Sequence, residues 1–168
     1  MEESARFAEP SDLDAIVTLA EAALDELTPT KGGAVWVRRE ARPQPVAPSI
    51  EEALADPDHT VVVGQLDQAV VGYAIARVEH LRDRSTLAVL DDLYVDADAR
   101  SLGVGELMMN EVIDWATARG CIGIDSLALP GNRATKNFFE SFGLVARAII
   151  VHRPFTADDP TDRPTRPR

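Results

Sequence analysis

The sequence predicts a single α/β domain, one mixed sheet with helices on its faces. Three observations predict it. The chain has 168 residues, enough to bury a real core in one domain and too few for two independent ones. Segments with apolar residues at helical spacing alternate with segments rich in Val, Ile and Tyr, in the order βα(α)βββαβαβ. Two of the strand-like segments flank Asp67-Gln68 as a hairpin does and pair antiparallel, whereas a strand, a crossover helix and another strand between residues 85 and 129 imply a parallel pair.

Arg6-Phe7-Ala8 reads as a short strand. Pro10-Ser11-Asp12 then opens a helix, with Ser11 as N-cap, Asp14 three residues on, and Leu13, Ile16, Val17, Ala20, Leu24 and Leu27 forming one buried face. Residues 28–48 contain Pro29, Gly32, Gly33, Pro43, Pro45 and Pro48, too many breakers for a regular element, so a long loop is expected there. Loops of that length inside compact domains are usually functional or disordered, and this one concentrates Trp36, Arg38, Arg39 and Arg42. Ser49 to Ala55 reads as a short helix stopped by Asp56-Pro57. Strands follow over 60–66, 69–79 and 85–95. After Gly103 and Gly105 a helix runs to about Arg119, with Met108, Met109, Val112, Ile113, Trp115 and Ala116 toward the core and Gly120 as its C-cap. Residues 122–129 read as a strand, 132–142 as a helix closed by Gly143, and 144–152 as a final strand. The domain is expected to span 1–153, with 154–168 a Pro-rich flexible tail.

Composition narrows the function classes. Apolar residues make up 45% and charged residues 27%, values that argue against a disordered, fibrous or disulfide-stapled chain. No apolar run approaches the roughly 18 residues of a membrane helix, and Met1-Glu2-Glu3-Ser4 lacks the basic and apolar regions of a secretory signal, so a cytoplasmic location is expected. Cys121 stands alone and the three histidines are scattered, which leaves no ligand set for a metal. The formal net charge of −11 disfavours nucleic acid or anionic membrane as partner; it suits a cationic substrate and also serves solubility.

The most informative segment runs from Asp91 to Gly105, a strand, a short loop and a glycine turn that opens a helix. Glycines let backbone approach a ligand, and the unpaired N–H groups of a first helical turn point at it with the helix dipole behind them. A diphosphate is the natural guest. A doubly wound nucleotide-binding domain is disfavoured, because the third glycine of its fingerprint would fall at Met108 and the first half of the sheet is antiparallel; no Gly-Lys-Ser/Thr of a P-loop is present either. A turn that merely packs helix on sheet would show the same Gly-Val-Gly.

Arg100-Ser101-Leu102-Gly103-Val104-Gly105 resembles the Arg/Gln-x-x-Gly-x-Gly/Ala element of the GNAT-superfamily N-acetyltransferases, and it follows an Asp-Leu-Tyr-Val strand as it does there. Asn132, Phe138-Phe139 and Phe142-Gly143 are placed as in that family's Asn-x-x-Ala-x-x-Phe-Tyr-x-x-x-Gly-Phe element. The resemblance is strong from about Thr60 to Leu144. It implies a sheet whose fourth and fifth strands splay apart to admit acetyl-CoA. It further implies that the backbone of Leu93, Tyr94 and Val95 hydrogen-bonds the pantetheine arm as an added strand would. Ser101, Leu102, Gly103, Val104 and Gly105 would hold the diphosphate through their N–H groups, Arg100 and Lys136 would add charge, and Asn132 would contact the arm while capping its helix. Homodimers are common among members of the family.

For transfer to a primary amine a proton must leave, since an alkyl ammonium with a pKa near 10.4 is neutral in roughly a few molecules per ten thousand at pH 7. Asp91 stands where many relatives carry a Glu that accepts this proton. By alternation Asp91 shares a face with Leu93 and Val95, while Asp92 points the other way as a structural carboxylate and Tyr94 lies out of phase. Asp91 is expected either to work through water or by binding the cation or to be a structural carboxylate, whereas for Asp92 a carboxylate pairing with a neighbouring cation or capping a turn is the plainer reading. Phe139 occupies the cofactor-side position where relatives carry a tyrosine that protonates the leaving thiolate, and Leu144 replaces the pattern's last Phe. The expected activity is therefore acetyl transfer to a small-molecule or peptide amine, with a catalytically silent acyl-CoA-binding module as the alternative. Arg38, Arg39 and Arg42 are expected either to hold a carboxylate or phosphate of the acceptor or to be solvated.

Overall fold

Strands β1 (Glu3–Phe7), β2 (His59–Leu66), β3 (Ala69–His80), β4 (Thr86–Val95) and β5 (Ile124–Ser126) form one sheet in that spatial order in the computed structural model, which describes residues 2–155. The β1–β2, β2–β3 and β3–β4 pairs are antiparallel and β4–β5 is parallel. Helices α1 (Leu13–Leu27), α2 (Gly33–Arg39) and α3 (Ala47–Ala55) precede β2, α4 (Val104–Ala118) crosses from β4 to β5, and α5 (Arg133–Ser141) follows. The predicted tail lies outside the described residues beyond Phe155.

The two faces of the sheet carry separate cores, as the period-two alternation of the strands requires. On one face Val61, Val63, Tyr73 and Ile75 pack against Ile16, Leu19 and Leu24 of α1 and Ile50 of α3, with Trp36 and Val37 of α2 against them. On the other, Val62, Ala74, Ala76 and Leu90 pack against Met108, Met109 and Val112 of α4 and Phe139 of α5. This is the expected mixed sheet with helices on both faces. Among the described residues no helix is long and apolar enough to cross a membrane.

Facing glycines set the height of α4. Gly64 and Gly72 are register partners on β2 and β3, and a Cβ on either would come within 2.9 Å of the Met108 side chain, at Sδ from Gly64 and at Cε from Gly72. Their missing side chains let the first turns of α4 sit down on the sheet, which fixes the glycine turn against β4.

Four expectations need correction. Residues 28–48 are not a continuous loop, for they hold α2 and the first turn of α3. Gly32 adopts φ +82° just before α2, and a Cβ on Gly33 would collide with the Leu27 carbonyl, so the glycines start a helix instead of breaking one. Pro48 lies in the first turn of α3, where its missing N–H is harmless.

Ser11 is not the cap of α1. A 3₁₀ turn over Pro10–Asp12 precedes the helix, and the Asp12 carboxylate accepts the Glu9 N–H at 2.8 Å and both arms of Arg6 at 2.8 and 2.9 Å. This clamp ties β1 to α1 and holds the Asp12 carboxyl below the usual carboxylate range, chiefly through the Arg6 hydrogen bonds. Asp12→Asn is expected to lose about 1–3 kcal/mol of stability at neutral pH. A depressed carboxylate stabilises above its unfolded pKa of about 3.9 and loses that contribution as pH falls through the folded value. Thermal melts of both proteins should therefore converge toward acid pH, and a constant gap from pH 7 to pH 3 would remove the charge from the explanation.

The strand expected over 122–129 is confined to Ile124–Ser126, because Gly123 precedes it and Pro130, which has no N–H to donate, soon follows. Residues 144–152, expected as a strand, join no ladder; Val145, Ile149, Ile150 and Val151 are exposed, and the segment meets β5 through Arg147 Nε, 2.8 Å from Asp125 Oδ1. A run of Val and Ile is a strand only where a neighbouring edge offers a ladder to join.

Candidate active site at the bulge of β4

Register dictates the chemistry here. Ile75 pairs with Asp92 and the next residue, Ala76, pairs with Leu90, so Asp91 is an extra residue on β4, a β-bulge. The extra residue shifts the phase of the strand. Leu90 lies in the α4-side core with Leu93 and Val95 packed against it, whereas Asp91 and Asp92 both turn toward the α1–α3 side. Asp91 Oδ2 accepts Arg77 Nε at 3.1 Å, and Arg77 follows Tyr73 and Ile75 on that same face of β3. Asp91 therefore does not share a face with Leu93 and Val95, and Asp92 does not oppose it. Tyr94, register partner of Tyr73, also lies on this side, so it is not out of phase with Asp91 as alternation suggested.

Asp92 belongs to a buried polar cluster. Its Oδ1 accepts the Tyr73 hydroxyl at 3.2 Å and its Oδ2 stands 2.7 Å from Arg42 Nη2; the Arg42 and Asp92 side chains are only 14% and 17% exposed. Arg42 Nε is buried with no protein acceptor. Burial pushes the Asp92 carboxyl above the ordinary carboxylate range against the pull of Arg42 and Tyr73. Burial likewise raises Asp91, opposed by Arg77 and reinforced by Asp92. The Tyr73 hydroxyl is pushed well up, first by burial and then by the neighbouring Asp92 charge.

Beside the bulge the sheet opens. The β4–β5 ladder ends at Leu90↔Ser126, whereas β4 continues to Val95, so the stretch of β4 holding Asp91, Leu93, Tyr94 and Val95 runs on without a β5 neighbour. Leu93, Tyr94 and Val95 thus lie on this open stretch, where the Val95 carbonyl accepts Arg100 Nε at 2.9 Å.

The glycine turn follows directly. Ser101 at φ +64° and Gly103 at φ +87° put two left-handed residues around Leu102, and no side chain caps the N-terminus of α4. Such alternation turns successive N–H groups inward on one concavity, an anion-binding arrangement. Gly103 is the N-cap, and Val104 and Gly105 begin the helix. A Cβ on Gly105 would lie 3.4 Å from the Phe138 ring, which places α5 beside this turn.

Arg100 does not point freely at the turn. Its guanidinium forks onto Glu26 of α1 at 2.9 and 2.6 Å and lies 5.3 Å from the Tyr94 ring centre, while the Tyr94 hydroxyl donates to Glu26 at 3.1 Å. Arg100 holds Glu26 below the usual carboxylate range. Lys136 pairs with Glu140 one turn along α5 at 2.6 Å. Asn132 caps α5, its side chain accepting the Thr135 N–H at 3.0 Å. Phe139 is buried in the α4-side core, edge-on to Phe138 at 5.6 Å, so the tyrosine of the family pattern has given way to a packing residue. Of the three loop arginines, Arg42 is spent on Asp92, Arg39 lies 3.2 Å from Glu40, and Arg38 is exposed. Among the described residues no group of three His, Cys, Asp or Glu side chains could hold a metal ion.

The sequence reading missed Glu26, Arg77 and the Arg42–Asp92–Tyr73 cluster. A signal for the bulge was present: the core residues Ala88 and Leu90 are followed by Leu93 and Val95, a slip of one position in a two-residue period.

Comparison with known proteins agrees with this fold. A model described as the acetyltransferase (GNAT) family matches residues 20–144. A transcriptional regulator from Bacillus halodurans superposes with a TM-score of 0.69 at 19% identity, over 92% of this chain and 100% of that one. AAC(6')-Iy, solved with the bisubstrate analog CoA-S-monomethyl-acetylneamine, gives 0.71 at 19% identity over 93% and 100%. Glucosamine-6-phosphate N-acetyltransferase from Arabidopsis thaliana gives 0.66 at 19% identity over 93% and 100%. No curated protein matches the chain at the level of sequence.

Proposed function

The chain belongs to the GNAT acetyltransferase family, and from that premise we propose that it transfers the acetyl group of acetyl-CoA to the primary amine of a cationic small-molecule or peptide acceptor. The observation that carries this reading is the conjunction at β4, where an edge without a β5 neighbour runs from a bulge bearing two carboxylates to an uncapped glycine turn. The residues fit the coenzyme. Leu93, Tyr94 and Val95 would offer backbone groups to its pantetheine arm, and the N–H groups from Ser101 to Gly105 would take its diphosphate. Asn132, capping α5 beside that turn, would meet the arm. Acetyl-CoA would supply a thioester; the amide bond to the acceptor nitrogen would form as the C–S bond breaks, with the sulfur leaving as thiolate and taking up the second proton that the nitrogen sheds.

Asp91 would accept the ammonium proton, directly or through water, and its elevated carboxyl makes it a better base than an ordinary aspartate. Asp92 and Glu26 add negative charge on the same side, in keeping with a cationic acceptor. AAC(6')-Iy is bound to an analog joining CoA to an acetylneamine, an amine-bearing acceptor in keeping with that charge, whereas the Arabidopsis enzyme is named for an acceptor that also carries a phosphate. The arginines give less support to an acceptor carrying a carboxylate or phosphate, since Arg42 and Arg39 already face carboxylates. Positioning and backbone N–H groups on the opened strand would supply much of the rate, and a thiolate with a pKa of about 8.5 leaves without the missing tyrosine.

A thiol-release assay with acetyl-CoA against a panel of amino sugars, polyamines and peptides tests the proposal. Amine-dependent release of coenzyme A is the expected result. Coenzyme binding without turnover across the whole panel would instead favour a silent acyl-CoA-binding module, the reading to which buried Phe139 lends its support.

A further inference from the structure

We propose that Asp92 is a positioning residue for the transfer, held by Arg42 and Tyr73 so that a fixed negative charge faces Asp91 across the bulge. The inference rests on the reading of Asp91 as proton acceptor. Three observations carry it. The bulge places consecutive carboxylates on one side of a strand, where regular alternation would separate them. The second carboxylate is pinned by two partners from distant parts of the chain, Tyr73 at 3.2 Å and Arg42 at 2.7 Å. The pair is also poorly arranged as a structural tie, because Arg42 leaves its buried Nε–H without an acceptor and reaches Ser49 O only at 3.4 Å. Apolar side chains of similar volume commonly stabilise such a site as well as a buried ion pair does. Stability alone therefore gives no reason for three polar groups among Ile50, Ile75 and Val46.

The charges around Asp91 fall into two sets. Arg77 of β3 holds its carboxylate and favours the ionised form, with Glu79 bound to the same guanidinium at 3.3 Å. His59 of β2, paired with Asp56 at 2.9 Å, and Arg42 act in the same sense. On β5 the Asp125–Arg147 pair is internally balanced, as is the Glu26–Arg100 pair beside Tyr94. Burial opposes ionisation of Asp91 first, and the Asp92 carboxylate on the same side of the bulge adds to it. The ionised Asp92 thus makes Asp91 the stronger proton acceptor, and Arg42 favours that ionised form against the burial that opposes it. The segment between α2 and α3 reaches the reacting centre through this one side chain.

Selectively carboxyl-labelled aspartate in the full chain allows Asp91 and Asp92 to be titrated by NMR without any substrate. In the wild type the Asp91 signal should show a second inflection at the midpoint of Asp92, the mark of coupled groups. Asp92→Asn should move the Asp91 midpoint to lower pH and carry the acidic limb of kcat/KM with it, lowering kcat while KM for the amine changes little. A single inflection for Asp91 in the wild type overturns the proposal whether or not the variant folds, and so does an unmoved Asp91 midpoint in Asp92→Asn. Coupling present in a wild type from which no amine of the panel elicits thiol release overturns the acyl-transfer reading instead, so the two failures are told apart.

Discussion

Asp91→Asn should lower turnover by about 10²- to 10⁴-fold, the range typical of a lost general base, while leaving coenzyme affinity nearly unchanged. The substitution preserves shape, and the Asn oxygen still accepts the Arg77 Nε–H that Asp91 Oδ2 now accepts at 3.1 Å. Folding should not suffer at neutral pH. A carboxyl whose folded pKa is raised opposes folding above that value, and the neutral amide removes this opposition. Equal or higher thermal stability together with collapsed turnover would separate chemistry from architecture. In the wild type, kcat/KM should rise with pH through the elevated Asp91 midpoint, and that limb should vanish in the variant. Unaltered turnover from pH 6 to pH 9 would reduce Asp91 to the ion-pair partner of Arg77.

Gly103→Asp should abolish coenzyme binding. Its effect on the fold is modest, because a Cβ at this position would find only Glu3 Cγ, at 4.0 Å, and Asp tolerates a left-handed φ better than most residues. The effect on an anion is large. The new carboxylate would cap the first turn of α4 itself, taking up the N–H groups of the turn and opposing a diphosphate by like charge. Saturating acetyl-CoA at roughly a hundredfold over its dissociation constant should stabilise the wild type by about 2.7 kcal/mol. The same addition should leave the variant's melting temperature where it was. A wild type that shows no ligand-dependent shift would sink the assignment of the turn.

Much of the fold is legible in the sequence for a physical reason: hairpins and crossovers are local. The β2–β3 hairpin closes over Asp67-Gln68, both at positive φ, and Val, Ile and Tyr on either side announce it without any glycine. The α4 stripe of Met108, Met109, Val112 and Ala116 is buried as its spacing demands. The glycine turn, too, is found at the N-terminus of α4, with Gly103 as its left-handed N-cap. What escaped depends on partners far along the chain. Arg100 meets Glu26 and Asp92 meets Arg42 and Tyr73, none of which local spacing can pair. Alternation also misassigned the face of Asp91, and with it the relation of Asp91 to Asp92 and Tyr94, because the bulge inserts one residue into the two-residue period. The breaker-rich stretch misled in the opposite sense, since a proline in a first turn and a glycine before one begin helices.

The ladder between β5 and β4 has three positions, whereas β3 and β4 pair along nearly their whole length. In free-energy terms the sheet is a stiff four-stranded plate with a weak seam. Opening that seam breaks few hydrogen bonds, and of β5 it is Ile124 that leaves the α4-side core, so it belongs to the cheaper sub-global fluctuations of the domain. The seam also coincides with the β4 edge at which a guest would have to enter. Amide protons of β5 should accordingly exchange with solvent long before those of β2 and β3.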